Sequence, residues 1–517
     1  MPRDGTAFAR RGTRKGQGPG LIALRVAANA VVARTLASIM LARKALSSHR
    51  AHRPRWVTGR QVEIRRRSTR LEPLVHALLM ALAVSSSTFT ASAETQPQRA
   101  LPDYDGRGGQ GNPTTPGQAL LWVPRVVLFP VYLVTEYVVR RPLGYAITAA
   151  ERAELPAALY DIFAFGPDHK AGIVPIAFVD FGFYPSVGLY AFWDDAGFKG
   201  HSLRLRGSTS GSRWLTGAVS ERFQLTPKTL LSINGALIHR PDYTFYGIGP
   251  DTREANRSRF GQDSADLHAT LRASFWRSSS VETSLGYRGA SFYPGKFGDD
   301  PSLTEQVDNG VFPLPDGYTD GYRVGFQRTK LTLDTRRDED GSESGGRLVL
   351  QGEHGLDPTQ SRAAGWLRYG ASLGGFLDLD NRGRILSLSA AVEMADPLGG
   401  QPVPFTELVT AGGNERLPGF RDGRVRGRSG AAATLRYSWP IWIWLDGSLQ
   451  AAVGNVYGEH LAGISWGESR FSGAVGIESR GSRDSVFQLL FGFGTETFNS
   501  GADINSLRVV VGARSGF

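Results

Sequence analysis

The sequence predicts an all-β protein: a transmembrane antiparallel β-barrel of about 16 strands, with a short N-terminal helical segment that is periplasmic or plugs the pore. Three observations carry this. From about residue 172 onward polarity alternates with period two, as in Leu267-His268-Ala269-Thr270-Leu271-Arg272-Ala273-Ser274-Phe275. That period sends neighbouring side chains to opposite faces of a strand. The second face carries charged and amide groups with many glycines, and aromatics gather near segment ends: Tyr184 and Tyr190, Phe245 and Tyr246, Trp439, Trp442 and Trp444. An apolar lipid face, a polar lumen and aromatic girdles produce that combination. Composition agrees, since 64 glycines and 41% hydrophobic residues in 517 suit a barrel better than a bundle of membrane helices.

The front of the chain is set apart by charge. The whole protein carries +11, but residues 1–93 hold 17 basic and 3 acidic residues, so the remainder is slightly acidic. A nucleic-acid partner therefore loses its support. Residues 65–93 read as a secretory signal: Arg65, Arg66, Arg67 and Arg70, an apolar run at Leu74–Val84, then Ala91-Ser92-Ala93 before Glu94. The run is about half the roughly 20 residues that a membrane helix needs. Its internal position predicts that translation starts further in, near Val57 or Val62. Residues 94–117, rich in Pro, Gly and Gln, predict a flexible linker. Residues 118–171 predict a helical periplasmic or plug segment. Ala119–Val139 has the length of a membrane span, but Pro124 and Pro130 interrupt it, and proline breaks helix hydrogen bonding.

The barrel is expected over 172–517, with strands starting near 173, 187, 200, 213, 228, 263, 280, 321, 346, 363, 384, 430, 442, 469, 484 and 504. Long connections fall at about 241–262, 293–320 and 396–429. Loops beyond roughly 12–15 residues are commonly functional or disordered. Leu507, Val509, Val511 and Ala513 share a face before a terminal Phe517. A signal peptide and such an ending place the protein in the outer membrane of a Gram-negative bacterium.

Catalytic chemistry has no visible carrier. There is no cysteine, the sequence holds no Walker loop or HExxH, and the histidines are dispersed. Asp338-Glu339-Asp340-Gly341 starts like a calcium loop but lacks the later ligands. Asp299, Asp300 and Asp316 are weak candidates for a divalent ion or for cations bound to lipopolysaccharide. The expectation is no enzyme, no metal and no cofactor.

The segment Gly412-Gly413-Asn414-Glu415-Arg416-Leu417-Pro418-Gly419-Phe420-Arg421-Asp422-Gly423-Arg424, followed by Ala433–Ile441, resembles the sixth extracellular loop and its returning strand in the BamA/TamA barrels of the bacterial surface antigen family. Phe245-Tyr246-Gly247-Ile248-Gly249 and Leu333-Asp334-Thr335-Arg336-Arg337-Asp338 are similar to two further landmarks of that family. The resemblance implies a sixteen-stranded barrel whose sixth loop folds back into the lumen, and a role in assembly, insertion or translocation of outer-membrane proteins. It implies outer-membrane lipid and lipopolysaccharide, client proteins and the assembly machinery as partners. In the family a tip arginine meets an acidic residue on the inner wall. Here Pro418 stands at the tip and Asn455 at the wall position, with Arg421, Arg424, Arg426 and Arg428 as substitutes. Residues 94–171 lack the pattern of the periplasmic polypeptide-transport-associated domains, which implies a short member without them. The barrel seam is expected to pair about 173–181 with 504–517, weakened by Pro175, Gly512 and Gly516. The competing expectation is a passive pore or a structural surface protein.

Overall fold

The computed structural model describes residues 162–337, 344–357, 364–379, 383–414, 416–442, 445–479 and 485–515. The signal, the linker, most of the helical segment, Asp338–Gly341, Trp444 and Phe517 lie outside them. Sixteen strands pair antiparallel in chain order: β1 (Ala171–Asp180), β2 (Ser186–Asp194), β3 (His201–Thr209), β4 (Leu215–Thr226), β5 (Thr229–Phe245), β6 (Ser258–Trp276), β7 (Ser279–Pro294) and β8 (Tyr322–Asp334) form one half. β9 (Gly345–Asp357), β10 (Ala364–Asp378), β11 (Ile385–Leu398), β12 (Ser429–Trp442), β13 (Leu445–Tyr457), β14 (Arg470–Ser479), β15 (Ser485–Thr497) and β16 (Ile504–Ser515) form the other. β16 then pairs with β1, and the sheet closes. A closed antiparallel barrel of this kind is typical of Gram-negative outer-membrane proteins.

Alternation decides which way each side chain faces. Leu189 on β2, Leu285 on β7, Leu373 on β10, Leu388 on β11 and Leu507 on β16 are exposed on the outside. Ser506, Arg508 and Val510, the intervening residues of β16, are buried inside. Connections after even-numbered strands are short, such as 227–228 and 277–278, whereas those after odd-numbered strands include 246–257, 295–321 and 399–428. The long loops therefore share one end of the barrel. Loop 4 (295–321) contains a single described helical turn and a half, α1 (Leu303–Asp308), whose N-cap Ser302 and Glu305 form a reciprocal capping box.

Three expectations change. β5 and β6 run 17 and 19 residues, so β6 starts at Ser258 rather than near 263 and loop 3 shrinks to 246–257. These strands extend because loops 4 and 6 give their inner faces something to pack on. Tyr190, Phe245 and Tyr246 are 2%, 1% and 1% exposed, so they are luminal core and not a membrane girdle. Phe245 packs edge-on to Phe405 of loop 6 at 5.6 Å, in a buried cluster with Phe260, Leu303 and Trp366. Finally, Asp300 is neutralised by Arg257 and Arg259 at 3.1 and 2.6 Å, which leaves it poorly suited to a free cation.

Candidate functional site: the sixth loop and the seam

The seam is short. Among the described residues, Asp180, Val179 and Phe178 of β1 pair with Val510, Val511 and Gly512 of β16, and the Phe181 N–H adds a bond to the Val509 carbonyl at 2.9 Å, whereas β15 and β16 pair at eleven positions with one bulge. The expected pairing over 173–181 is thus confined, among the described residues, to 178–181. Gly512 marks where the two strands part. Its φ is +146°, and an added Cβ would stand 2.4 Å from the Ala177 carbonyl oxygen. Pro175 lies beyond the paired stretch, opposite Leu189 of β2. The lower part of β1's seam edge takes a different partner: Ala164–Phe165 pairs with Gly172 and Ala171. This two-residue strand replaces the end of the expected helical segment.

The sixth loop (399–428) runs into the lumen. A small ladder between Val409–Thr410 and Arg426–Gly427 closes its base, and the motif residues reach strands β14 to β16. Gly419 donates its N–H to Ser472 Oγ at 2.7 Å, and its carbonyl accepts from Ser506 Oγ at 2.9 Å. The fit requires glycine, since a Cβ would stand 1.8 Å from the Phe493 carbonyl oxygen. Leu417 and Phe420, both fully buried, pack with Val425, Ala452 and Val456. Pro418 presents its carbonyl to Arg508 Nη1 at 3.4 Å, and the same nitrogen donates to Asn414 Oδ1 at 2.7 Å. Gly412 forms a bridge to Leu417, and Gly413 donates to the Phe420 carbonyl at 3.1 Å. These bonds fold the tip into a compact turn.

Arg508 links this turn to the seam. Its Nη2 donates to Asp180 Oδ2 at 3.2 Å, so one buried guanidinium on the last strand holds the loop tip and the first strand together. Arg421 works from the other side, donating to the Phe181 carbonyl at 3.0 and 3.2 Å. Arg424 instead donates to Thr252 Oγ1 and the Thr252 carbonyl at 2.9 and 3.0 Å and lies 4.2 Å over the Tyr246 ring. Gly423 packs against the Arg426 guanidinium. Asn455 does not meet the loop motif through its side chain. Its amide donates to the carbonyls of Pro250 and Glu468, because its position at the loop end of β13 faces loops 3 and 7.

Two of the expected arginines form ion pairs, Arg424 with Glu254 at 3.3 Å and Arg428 with Asp396 of β11 at 3.5 Å, and further ionic holds lie outside the motif. Glu407, 3% exposed, accepts from Arg288 Nη1 at 2.9 Å and from Tyr322 Oη at 2.5 Å. Arg288 and Arg368 also pair with Glu353 of β9, at 3.3 and 3.0 Å. Arg416, two residues before the tip proline, pairs with Glu393 of β11 and donates to the Thr410 carbonyl. Arg416 therefore adds an arginine-to-wall-acid contact to that of Arg428, and Glu407 makes one of opposite polarity. Sequence reading missed Phe405 and Glu407, although Val403-Pro404-Phe405 was an apolar run within a long loop, which is a signal for a segment that packs inward. Among the described residues, no group of three or more His, Asp and Glu could hold a metal ion.

No protein-family model matches the chain. No curated protein matches it. Among solved structures it is similar to BamA from Haemophilus ducreyi lacking POTRA domains 1–3, at 15% identity and TM-score 0.48, covering 66% of this chain and 70% of that one. CdiB from Acinetobacter baumannii (11% identity, TM-score 0.42) and CdiB from Escherichia coli (14%, 0.43) are matched over 66% and 67% of this chain. The match spans 59% and 64% of those two CdiB chains. Strand pairing alone carries the architecture: this chain is a closed, sixteen-stranded antiparallel barrel with its sixth loop inside.

Proposed function

We propose that the protein handles other polypeptides at the outer membrane, in insertion or translocation, and that it does so in the manner of the BamA/TamA barrels that its loop motif resembles. The observation that carries this reading is the three-pair seam braced from inside by the sixth-loop turn through Arg508 and Asp180. A passive pore has no use for a weak seam. An edge with few ladder bonds opens at low cost and offers unpaired backbone groups to a client strand. When the seam parts, the loop turn stays with β14 to β16 through Ser472 and Ser506, while the Arg508–Asp180 bond breaks. The loop thus serves as a hinge-side brace, and the client would pair with the freed edge of β1.

The test uses the native absence of cysteine. Val179 and Val511 are directly paired, so V179C/V511C can lock the seam by oxidation. Protein in lipid vesicles should accelerate membrane insertion of an unfolded outer-membrane barrel client. Oxidation of the double variant should abolish the acceleration and reduction restore it. Equal insertion with and without the protein, or insertion indifferent to the lock, would remove this function.

A further inference from the structure

Between the sixth loop and the inner wall formed by β3 to β7 lies a cavity of about 670 Å³. Small-molecule sites commonly occupy roughly 300–1,000 Å³. Two features of its wall ask for the same kind of occupant. The first is aromatic and cationic together: the Arg240 guanidinium lies 4.9, 5.7 and 4.8 Å from the ring centres of Phe183, Trp214 and Tyr243. Arg240 is itself balanced by Asp242 at 2.6 Å. The second feature has no ion pair of its own. Arg426 is 7% exposed and donates to the carbonyls of Gly423 and Phe405, both at 3.2 Å. Among the described residues no carboxylate lies within ion-pair distance of it. Asp422, which shares the cavity wall, is exposed, and water screens its charge. The other acids of the cavity are committed: Asp180 to Arg508, Asp266 and Glu407 to Arg288.

A third observation points to a ligand independently of charge. Trp214 is 8% exposed and its indole N–H, on the cavity wall, has no hydrogen-bond partner among the described residues. The Thr216 hydroxyl beside it has none either. Buried polar groups are nearly always satisfied, so an orphan donor needs a reason. A buried guanidinium with no carboxylate in ion-pair contact is costly on the same grounds.

We propose that this cavity binds a small organic acid: a carboxylate carried on a flat aromatic or a pyranose ring. The carboxylate neutralises Arg426, the ring lies against Trp214, and the indole N–H and Thr216 hydroxyl bond to the ligand's oxygens. An inorganic anion would satisfy the charge but leave most of the cavity unfilled, and a neutral ring would leave Arg426 unpaired. This site is independent of the polypeptide-handling reading and stands or falls without it.

Isothermal titration calorimetry on the full chain in non-ionic detergent tests it, with glucuronate and benzoate as probes and glucose and benzamide as their neutral counterparts. Saturable binding of at least one carboxylate, at least tenfold tighter than its neutral counterpart, is expected. Glucuronate alone would mark an acidic-sugar site, and benzoate alone a flat aromatic one. Trp214→Phe keeps the ring and deletes one donor, and should weaken binding about tenfold. Arg426→Gln should erase the preference for the charged probe, and Trp214→Phe guards the test because it does not touch the sixth loop's own hydrogen bonds. Absence of saturable binding by either carboxylate, equal affinity for the neutral counterparts, or affinity unchanged in both variants would overturn the proposal.

Discussion

At the residue scale, Glu407 shows how a luminal charge earns its place. It is buried among Arg288, Arg368 and Tyr322, and each of those groups would face a desolvation cost without a partner. Glu407→Gln keeps the shape and removes the charge. It should cost about 1.5–3 kcal/mol of loop attachment, the usual worth of a hydrogen bond to a charged group. The expected outcome is faster protease cleavage within 399–428 of the folded barrel, at unchanged barrel stability. A cleavage rate equal to that of the parent would show that Phe405 and its aromatic neighbours hold the loop unaided. Gly419 belongs to the same scale: it was legible as part of a motif, but the need for glycine came from the Phe493 carbonyl, a residue 74 positions away in sequence.

At the element scale, the strands were the most legible part, because period-two alternation is local and needs no knowledge of the partner. Their ends were less so. β5 and β6 outrun their expected limits because residues such as Phe245 and Phe260 gain burial against loop 6, a contact that no local pattern reports. α1 offers a pH test. Ser302 donates its backbone N–H to Glu305 and its hydroxyl accepts from the Glu305 N–H, and the former bond holds the Glu305 carboxyl below its ordinary range. A depressed carboxyl contributes stability above its unfolded pKa, and that contribution is lost as pH falls through the folded value. Hydrogen exchange of the 303–309 amides should therefore quicken in acid, beyond the intrinsic rate change. Ser302→Ala should show the quickened exchange already at neutral pH. Exchange that does not depend on the cap in this way would mean that packing of Leu303 beneath the helix dominates.

At the scale of the whole molecule, the barrel's interior is a second core. Loop 6 and loop 4 fill one part of it with Phe405, Leu303 and Val403, while an ionic set of Arg288, Arg368, Glu353 and Glu407 lines another. Single-channel recording should give low conductance for the intact protein and a large, steady current after deletion of 403–424. Steady large current from the intact protein would return the reading to a passive pore. A barrel of this size tolerates such a deletion because its wall closes by strand pairing rather than through the loop.

Strand number, inward and outward faces and the existence of a special sixth loop were written in local pattern, since alternation and glycine-rich motifs act over a few residues. Which residues hold that loop was not. Asn455 looked like its wall partner by position in a motif, yet Arg508, Ser472, Ser506, Arg416 and Glu407 make the contacts to the wall, and Arg424 reaches loop 3 instead. The same is true of the three-pair seam and of the cavity around Trp214. Closing a sheet brings together the first strand, the last strand and a loop between them, separated by hundreds of residues. Only that closure decides which buried charge meets which, and which donor is left to a ligand.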